Sequence, residues 1–306
     1  MTNVSCLKER LAPPKGEVNM VLDTDTYNEI DDQFALVWCA ISERVNLKAV
    51  YAAPFHNTRS EGPEDGMLKS YDEIHRIMSF LKLPSKDIAF KGSTKFMTAD
   101  KKPVQSDAAS HLIKLAKATP DGDLLYVVAI GAITNVASAL LVEPSIKDKI
   151  VVVWLGGHPL EWNNNREFNL FQDPHSAQVV FDSQVPVVHV PCKNVAEHVR
   201  SSVPEIKELM GHRGDIGAYL TEIYTDYIGG KLAGSKEIWD LAAVAWVLNP
   251  ESMPSVITET PILNLDEYLS WSFDKSRHVY RVCIDAKRDI IFRDFLADLD
   301  AYLAKI

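Results

Sequence analysis

Five acidic side chains lie within ten positions near the start of the chain, between one apolar run and another. They are Asp23, Asp25, Glu29, Asp31 and Asp32. Crowded carboxylates raise each other's pKa unless a cation or a helix N-terminus offsets their charge. A hard divalent cation prefers oxygen ligands and is the simplest way to offset it. The segment therefore predicts metal-assisted chemistry.

Three other interpretations of this segment can be compared with its spacing. Helix capping accounts for Asp31 and Asp32, which precede an apolar helical stretch, but leaves the earlier acids unexplained. An EF-hand loop is excluded because Tyr27 and Asn28 stand where an oxygen ligand and a glycine are required. A phosphatase loop of the type Asp-x-Asp-x-Thr agrees over residues 23–26 and then meets Tyr27 in place of Thr or Val, so it stays a weaker alternative.

Short β-branched runs alternate with helical periodicities along most of the chain, which is typical of βα units on a largely parallel sheet. Five near-continuous apolar runs predict strands that are buried on both faces. They span residues 18–22, 47–53, 124–130, 150–155 and 185–190. We expect one domain over residues 1–306, with helices covering both faces of an open sheet.

Helical patterns and loops separate these strands. The predicted helices span residues 33–41, 67–81, 108–118, 136–142, 174–182, 203–209 and 238–248. Residues 54–66 and 93–107 are rich in Pro, Gly, Asp, Thr and Lys, which predicts loops, and the first is long enough to be functional.

Polar residues follow the first four predicted strands. The acidic segment follows the first, His56 and Asn57 the second, residues 131–135 the third, and Gly156-Gly157-His158 the fourth. In open α/β sheets ligands bind outside the carboxyl ends of the strands, so we expect these residues to converge on one crevice.

The composition limits the classes of partner. The 306 residues carry a net charge of -10 with a pI near 5.4, which argues against nucleic acid or an anionic membrane and favours a small neutral or cationic ligand. The four cysteines are far apart, without zinc or disulfide-framework spacing. The polar N-terminal residues lack a signal-peptide core, and no run reaches membrane-spanning length, so a cytoplasmic protein is expected.

Several motifs, in order, resemble those of the inosine-uridine preferring nucleoside hydrolase family. Asp23-Thr24-Asp25 with Asp31-Asp32 resembles the opening Asp-Thr/Cys-Asp-Pro-Gly-x-Asp-Asp-Ala, although residues 26–30 form a segment two residues longer than usual. Residues 131–135 resemble Gly-Pro-Leu-Thr-Asn, Gly156-Gly157 resembles the Met-Gly-Gly turn, and residues 167–174 resemble Glu-Phe-Asn-x-x-x-Asp-Pro. The resemblance covers roughly residues 18–250, in order and with compatible spacing, so chance agreement is unlikely.

This resemblance implies a Rossmann-like α/β fold, one bound Ca²⁺ and hydrolysis of the N-glycosidic bond of ribonucleosides. Asp25, Asp32 and Asp240 would be carboxylate ligands, and the Ile130 carbonyl would add a backbone oxygen. Asp25 would also be the general base for a Ca²⁺-bound water that attacks the anomeric carbon.

The same resemblance implies the substrate contacts. Ribose would meet Asp31, Asn57, Glu167, Asn169 and Asp240, since a hydroxyl-rich sugar needs several fixed acceptors and amides. Asn163 or Asn164 is expected to reach the 5′-hydroxyl. Local helix capping is the alternative role for Glu167 and Asn169.

Two positions depart from the family pattern. Trp239 stands where the family usually has His before Asp240, which removes the usual general acid for the departing base. An indole can stack on a planar base, so Trp239 favours purine nucleosides, with a helix-core aromatic as the alternative. The other departure is the longer segment 26–30, in which Glu29 is expected to face solvent.

Two further expectations complete the interpretation. A non-catalytic or repurposed ribosyl-binding protein of the same fold is the alternative to a hydrolase, because the usual His is missing. A homo-oligomer, either a dimer or a tetramer, is expected, without a pattern that distinguishes the two.

Overall fold

The computed structural model describes residues 4–231 and 233–306, and in this part of the chain one sheet of eight strands carries most of the core. Its strands are β1 (Val18–Thr24), β2 (Val45–Ala52), β3 (Ala89–Lys91), β4 (Leu125–Ala129), β5 (Ile150–Leu155) and β6 (Val187–Val190), together with β9 (Ser255–Glu259) and β12 (Val279–Cys283). Two short antiparallel ribbons complete the set: β7 (Arg200–Ser202) with β8 (Ser235–Glu237), and β10 (Ile262–Leu263) with β11 (Trp271–Ser272).

The sheet order is β3-β2-β1-β4-β5-β6-β12-β9. Neighbouring strands run parallel from β3 to β12, and the β12–β9 pair at one edge is antiparallel. The predicted fold class, an open and mostly parallel α/β sheet, is confirmed. Because the carboxyl ends of the parallel strands share one edge, the loops that follow them also lie together.

Helices cover both faces of the sheet. They are α1 (Val4–Arg10), α2 (Asp32–Ile41), α3 (Pro63–Phe80), α4 (Asp107–Ala118), α5 (Thr134–Val142), α6 (Phe168–Gln172), α7 (Pro174–Asp182), α8 (Val203–Met210), α9 (Gly214–Ile228), α10 (Leu241–Leu248) and α11 (Arg288–Leu303). One buried apolar cluster lies on the side of α2, α10 and α11, and a second lies on the side of α4, α5 and α7. Every residue of α10 is buried, as expected for a helix that is apolar all round.

The predicted elements agree with this architecture, with differences at their ends. All five predicted strands are present, and residues 150–155 match β5 at both ends. The loop predicted over residues 54–66 is shorter, because α3 already begins at Pro63. The helix predicted from residue 238 begins at Leu241, so Trp239 and Asp240 lie in the turn before it.

Sequence reasoning did not predict strands β3, β9 and β12 or helices α1, α9 and α11. Among the described cysteine side chains, Cys39, Cys192 and Cys283 are free and buried; the side chain of Cys6 lies outside them. Over the same residues, none of the helices combines the length and the apolar character needed to cross a bilayer.

Candidate active site

A cavity of about 280 Å³ opens at the carboxyl ends of β1, β4, β5 and β6; we call it the strand-end cavity. Its acidic lining residues are Asp25, Glu29, Asp31, Asp32, Glu167 and Asp240. Its other polar lining residues include Asn28, Asn57, His158, Arg166, Asn169 and Lys193. Of the residues that the strand-end argument expects here, Asn57 after β2 and His158 after β5 line the cavity together with the acidic segment, whereas His56 and residues 131–135 do not.

The turn between β1 and α2 buries the acidic segment instead of exposing it. Asp25 is 1% exposed, and neither of its carboxylate oxygens meets a hydrogen-bond donor within residues 4–231 and 233–306. Glycine at position 131 makes room for this carboxyl group, because a β-carbon there would lie 3.1 Å from Cγ of Asp25. Asp32 begins α2 and accepts a hydrogen bond from the Thr24 hydroxyl at the end of β1.

Burial raises the pKa of the buried aspartates that line the cavity. It raises the pKa of Asp31 to about 6 and that of Asp32 to about 8. The pKa values of Asp25 and Asp240 are raised well above their ordinary value, first by burial and then by the neighbouring carboxylates. Burial and mutual repulsion disfavour the ionised form of these acids, and a bound cation would favour it.

The donor atoms at this site fit such a cation. Asp31, Asp32 and Asp240 each offer one carboxylate oxygen, and these oxygens lie within 4.8 Å of one another. Asp25, expected to be a ligand, is not one of these three; it lines the same cavity, and its two carboxylate oxygens meet no donor among the described residues. The oxygens available at the site are of the kind that Ca²⁺ prefers. Asp31, expected to contact ribose, thus belongs to the compact group, and the Ile130 carbonyl accepts a hydrogen bond from Nδ2 of Asn169 at 3.0 Å.

Asp23 lies behind this group and supports the loops instead of lining the cavity. Nδ2 of Asn135 donates to its Oδ1 at 2.8 Å, and Oδ1 of Asn135 accepts from the backbone N–H of Ser93 at 2.8 Å. Because Asp23 lies near the end of β1, while Asn135 and Ser93 follow β4 and β3, the network fixes three strand ends to one another. Burial raises the pKa of Asp23 to about 7.

Glu167 both caps a helix and lines the cavity. Its carboxylate accepts from the backbone N–H groups of Asn169 at 3.0 Å and Leu170 at 3.1 Å at the start of α6, and from that of Gly157 at 2.7 Å. Asn169 in turn donates from Nδ2 to the carbonyl of Leu155 as well as to that of Ile130. The capping alternative and the substrate-facing expectation therefore coexist at these two residues.

The segment 26–30 is fixed over the cavity by contacts from two directions. Asn57 donates to Oδ1 of Asn28 at 2.6 Å, and Arg59 donates to the Glu29 carbonyl at 2.9 Å. From the other side, the Glu29 carboxylate pairs with Lys236 at 2.6 Å and accepts from the Tyr227 hydroxyl at 2.8 Å. Glu29, expected to face solvent, is held by Lys236 and Tyr227, and its side chain stays 33% exposed.

Trp239 and the loop after β6 form another part of the cavity lining. Trp239 is half-buried, and the ammonium groups of Lys193 and Lys236 each lie 5.5 Å from the centre of its ring. Lys193 also pairs with Glu197 at 3.0 Å. Trp239 therefore lies in a turn and lines the cavity, and it also packs against the apolar core.

Comparison with known proteins decides the family. The sequence model of the inosine-uridine preferring nucleoside hydrolases matches residues 20–289, which is most of the chain. The chain belongs to this nucleoside hydrolase family. The predicted enzyme class, a ribonucleoside N-glycosidase, is therefore confirmed.

Relatives of this nucleoside hydrolase carry different specificities in their names. A pyrimidine-specific ribonucleoside hydrolase, RihA, from Salmonella typhi is 25% identical over 264 residues, which cover 78% of this chain and 81% of the relative. A probable uridine nucleosidase 2 from Arabidopsis thaliana is 29% identical over 143 residues, 44% of each chain. These names include pyrimidine nucleosides and leave the purine preference of this chain a prediction.

Solved structures confirm the fold of the nucleoside hydrolase. A purine-preferring ribonucleoside hydrolase from Gardnerella vaginalis superimposes with a TM-score of 0.76 at 18% identity, covering 94% of this chain and 100% of the other. An inosine-guanosine nucleoside hydrolase gives a TM-score of 0.75 at 17% identity, covering 94% and 99%.

The nucleoside hydrolase brings most of the expected site residues to one cavity. Asp25, Asp31, Asp32, Asn57, Ile130, Glu167, Asn169, Trp239 and Asp240 all line it. Asn163 does not: it is exposed, and its loop instead buries Asn165, which bonds to the backbone N–H of His158 and donates its own N–H to the Tyr268 carbonyl at 2.8 Å.

Lys193, Arg166 and Glu29 line the cavity of the nucleoside hydrolase, but sequence reasoning gave them no role. Extending the strand-end rule to the fifth predicted strand would have found Lys193, since it lies three residues after β6. Arg166 offered no comparable signal, because its loop lies outside any regular pattern.

Proposed function

We propose that this nucleoside hydrolase cleaves the N-glycosidic bond of ribonucleosides in a Ca²⁺-dependent reaction, with Asp25 as the general base and a preference for purines. One observation carries the proposal: four buried aspartates line a single strand-end cavity, and one of them has two oxygens without a donor. Burying that much like charge costs free energy, and a divalent cation offsets it.

The ion would be held by Asp25, Asp32, Asp240 and the Ile130 carbonyl, with Asp31 beside them. Bound there, it supplies the positive charge that makes these acids ionise and favours deprotonation of water. The volume of the strand-end cavity, about 280 Å³, is close to the small end of the usual range for ligand pockets.

The side chains divide the reaction between them. Asp25 accepts the proton of the attacking water, because its oxygens are not engaged by the protein. Asp31, Asn57, Glu167, Asn169 and Asp240 orient the ribose hydroxyls. As the glycosidic bond breaks, positive charge develops on the sugar, and the surrounding carboxylates stabilise it.

Trp239 supports the purine preference. Its half-buried indole ring lines the cavity, where a planar base could stack on it. Stacking increases with the area of the ring, so a purine gains more than a pyrimidine.

The metal and the substrate can be tested together. We expect chelated protein to lose activity and added Ca²⁺ to restore it, with free base and ribose released faster from inosine, guanosine and adenosine than from uridine. Chromatography of the products measures both effects. Activity that survives chelation would remove the metal from the proposal, and phosphate release from a generic ester would support the phosphatase alternative instead.

Replacement of Asp25 tests the general base. Asp25→Asn keeps the shape of the side chain but removes its ability to take a proton, so kcat should fall by about 10²–10⁴-fold. Asp72→Asn, at an exposed position of α3, is the matched control and should leave kcat unchanged. Retention of most of the activity in Asp25→Asn would rule out this role.

We further propose a single domain, a cytoplasmic location and a homo-oligomer, either a dimer or a tetramer, that acts on small-molecule ribonucleosides. Cell fractionation tests the location. Light scattering coupled to gel filtration distinguishes the two assemblies by mass.

A further inference from the structure

Lys193 is the cationic side chain best placed to act on the departing base. It follows β6, so it lies at the same edge of the sheet as the acidic turn, and it lines the strand-end cavity. Its ammonium lies 5.5 Å from the centre of the Trp239 ring and 3.0 Å from the Glu197 carboxylate. Lys193 and Trp239 therefore form one continuous part of the cavity wall.

The cavity histidine cannot take over the function of the missing family histidine. His158 is the histidine among the described lining residues, and burial together with the nearby Lys193 lowers its pKa to about 4. It is neutral near pH 7 and holds no proton that it could readily donate. Lys193, whose charge contributes to lowering this pKa, also lines the cavity.

The other two cations near the cavity are engaged elsewhere. Arg166 is exposed, lies 4.0 Å from the centre of the Phe171 ring, and donates to the Glu267 carbonyl at 3.1 Å. Lys236 pairs with Glu29 at 2.6 Å, donates to the Glu237 carbonyl at 3.2 Å, and does not line the cavity. Lys193, by contrast, is held by a half-buried glutamate from its own loop and keeps its ammonium at the cavity wall.

We propose that Lys193 is a catalytic residue that stabilises and protonates the leaving base, in place of the histidine that Trp239 replaces. The proposal rests on the proposed nucleoside hydrolysis and assigns a residue to the departure of the base. The Lys193 ammonium lies over the Trp239 ring, 5.5 Å from its centre, so it borders the space above the indole and would meet the edge of a base stacked there, where the nitrogen and carbonyl acceptors of nucleobases lie.

The bond between the anomeric carbon and the base nitrogen breaks, and its electron pair goes to the base. The oxygen of water bonds to the anomeric carbon, and the released proton goes to Asp25. Lys193 donates one proton to the base and recovers it from solvent, as Asp25 returns its proton there, so one water is consumed and free base and ribose leave.

Substrates with two kinds of leaving group test the proposal. Inosine releases a base that leaves poorly unless it is protonated. By contrast, 4-nitrophenyl β-D-ribofuranoside releases a stable phenolate that needs no proton. For Lys193→Met we expect kcat on inosine to fall by about 10²-fold or more, with kcat on the nitrophenyl riboside within about threefold of the wild-type value. Lys193→Arg, which keeps the charge, should recover part of the loss on inosine.

Two controls separate this role from a structural one. Lys86→Met removes an exposed lysine that is distant in sequence from Lys193, and it should leave kcat unchanged on both substrates. Glu197→Gln removes the carboxylate that pairs with Lys193 but leaves the Lys193 ammonium in place, so it should reduce kcat on inosine less than Lys193→Met does. Thermal unfolding of each variant shows whether it is folded.

The outcomes distinguish the two proposals. An equal loss on both substrates in Lys193→Met, or a loss on inosine below about threefold, would overturn the role of Lys193 and leave the proposed function intact. If Lys193→Met does not fold, the same comparison is made with Lys193→Arg and Glu197→Gln, and an unchanged ratio of the two substrates overturns the role. Absence of cleavage of every nucleoside by the wild-type protein would overturn both proposals.

Discussion

Buried titratable side chains surround the cavity, and His189 is one whose effect on stability can be calculated. Its Nε2 donates to the Gly156 carbonyl at 2.7 Å, directly below the Gly156-Gly157 turn, while its Nδ1 has no partner among the described residues. The rings of Trp154, Phe181, Trp271 and Tyr280 lie around it. Burial, and to a smaller extent the nearby His158, lowers its pKa from 6.5 to about 4.

This depressed pKa predicts a loss of stability in mild acid. Below pH 6.5 the unfolded chain binds a proton at His189 that the folded protein does not, so the contribution is present above that pH and is lost as pH falls towards 4. Between pH 7 and pH 5 the loss amounts to about 2 kcal/mol from this residue. His189→Gln keeps an amide donor for the Gly156 carbonyl and cannot titrate.

Urea unfolding at the two pH values measures this effect. The free energy of unfolding of the wild type should fall by about 2 kcal/mol more than that of His189→Gln. Because the raised pKa values of the buried aspartates favour the folded state in acid, the difference between the two proteins, not the absolute trend, carries the result. Parallel pH dependences would show that His189 titrates normally in the folded protein.

At this scale, sequence reasoning found the acids and missed their partners. Asp25, Asp31 and Asp32 were recognisable because they are crowded beside an apolar run, and Asp240 entered only through the family resemblance. The contacts of Glu29 were not predicted, because its partner Tyr227 lies 198 residues further along the chain. No local pattern reports a contact at that separation.

The lengthened segment 26–30 is the element that distinguishes this site from the usual family pattern. It is fixed by the pair between Glu29 and Lys236, whose side chains are 33% and 9% exposed. Lys236 also lies close enough to lower the pKa of Asp31, against the larger effect of burial. One lysine therefore holds the segment and compensates part of the charge of the acidic turn.

A double-mutant cycle on this pair tests that interpretation. Lys236→Met leaves Glu29 without its partner and should destabilise the protein by about 1–3 kcal/mol, less than a fully buried pair because Glu29 is partly exposed. Adding Glu29→Gln should recover a large part of that loss, since no carboxylate of the pair is then left without a counter-charge. Urea unfolding of the four proteins gives the coupling.

The same cycle reports on the site through kinetics. Lys236→Met should raise KM for a ribonucleoside more than it lowers kcat, because it loosens a segment that borders the cavity. Additive stability changes, with an unchanged KM in every variant, would show that the pair is a surface contact without a role in the site.

Elements were predictable where the physics is local. The central strands are near-continuous apolar runs because both of their faces are covered, and all five were found. β12 and α11 were missed because their burial depends on neighbours: β12 carries Arg281, which reaches the Leu11 carbonyl, and α11 intersperses charged residues among its apolar ones. Both are buried by parts of the fold that the local pattern does not contain.

At the scale of the whole molecule, the last helix packs against the helix that carries Asp32. Phe295 of α11 is fully buried, with its ring 6.2 Å from that of Phe34 and 5.8 Å from that of Trp38, both in α2. The C-terminal helix α11 thus supports α2, the helix that begins where the acidic turn ends. Stability and site geometry are connected through this contact.

Truncation of Phe295 should be costly. Phe295→Ala removes a fully buried ring and is expected to lower the free energy of unfolding by about 3–5 kcal/mol. Phe273→Ala, at a position that is 60% exposed, is the matched control and should change it by less than about 0.5 kcal/mol. Urea unfolding measures both, and comparable values for the two variants would contradict the contact with α2.

The position of β12 has a consequence for synthesis of the chain. β12 lies between β6 and β9, so β9, although it is made earlier, has its place in the sheet only beside a later strand. On the ribosome, every residue of the proposed catalytic and metal set has been synthesised by Asp240, yet the sheet edge stays incomplete until residues 279–283 have emerged. A nascent chain therefore passes through a stage in which β6 is an open edge, and an open edge is where strands of other chains can pair.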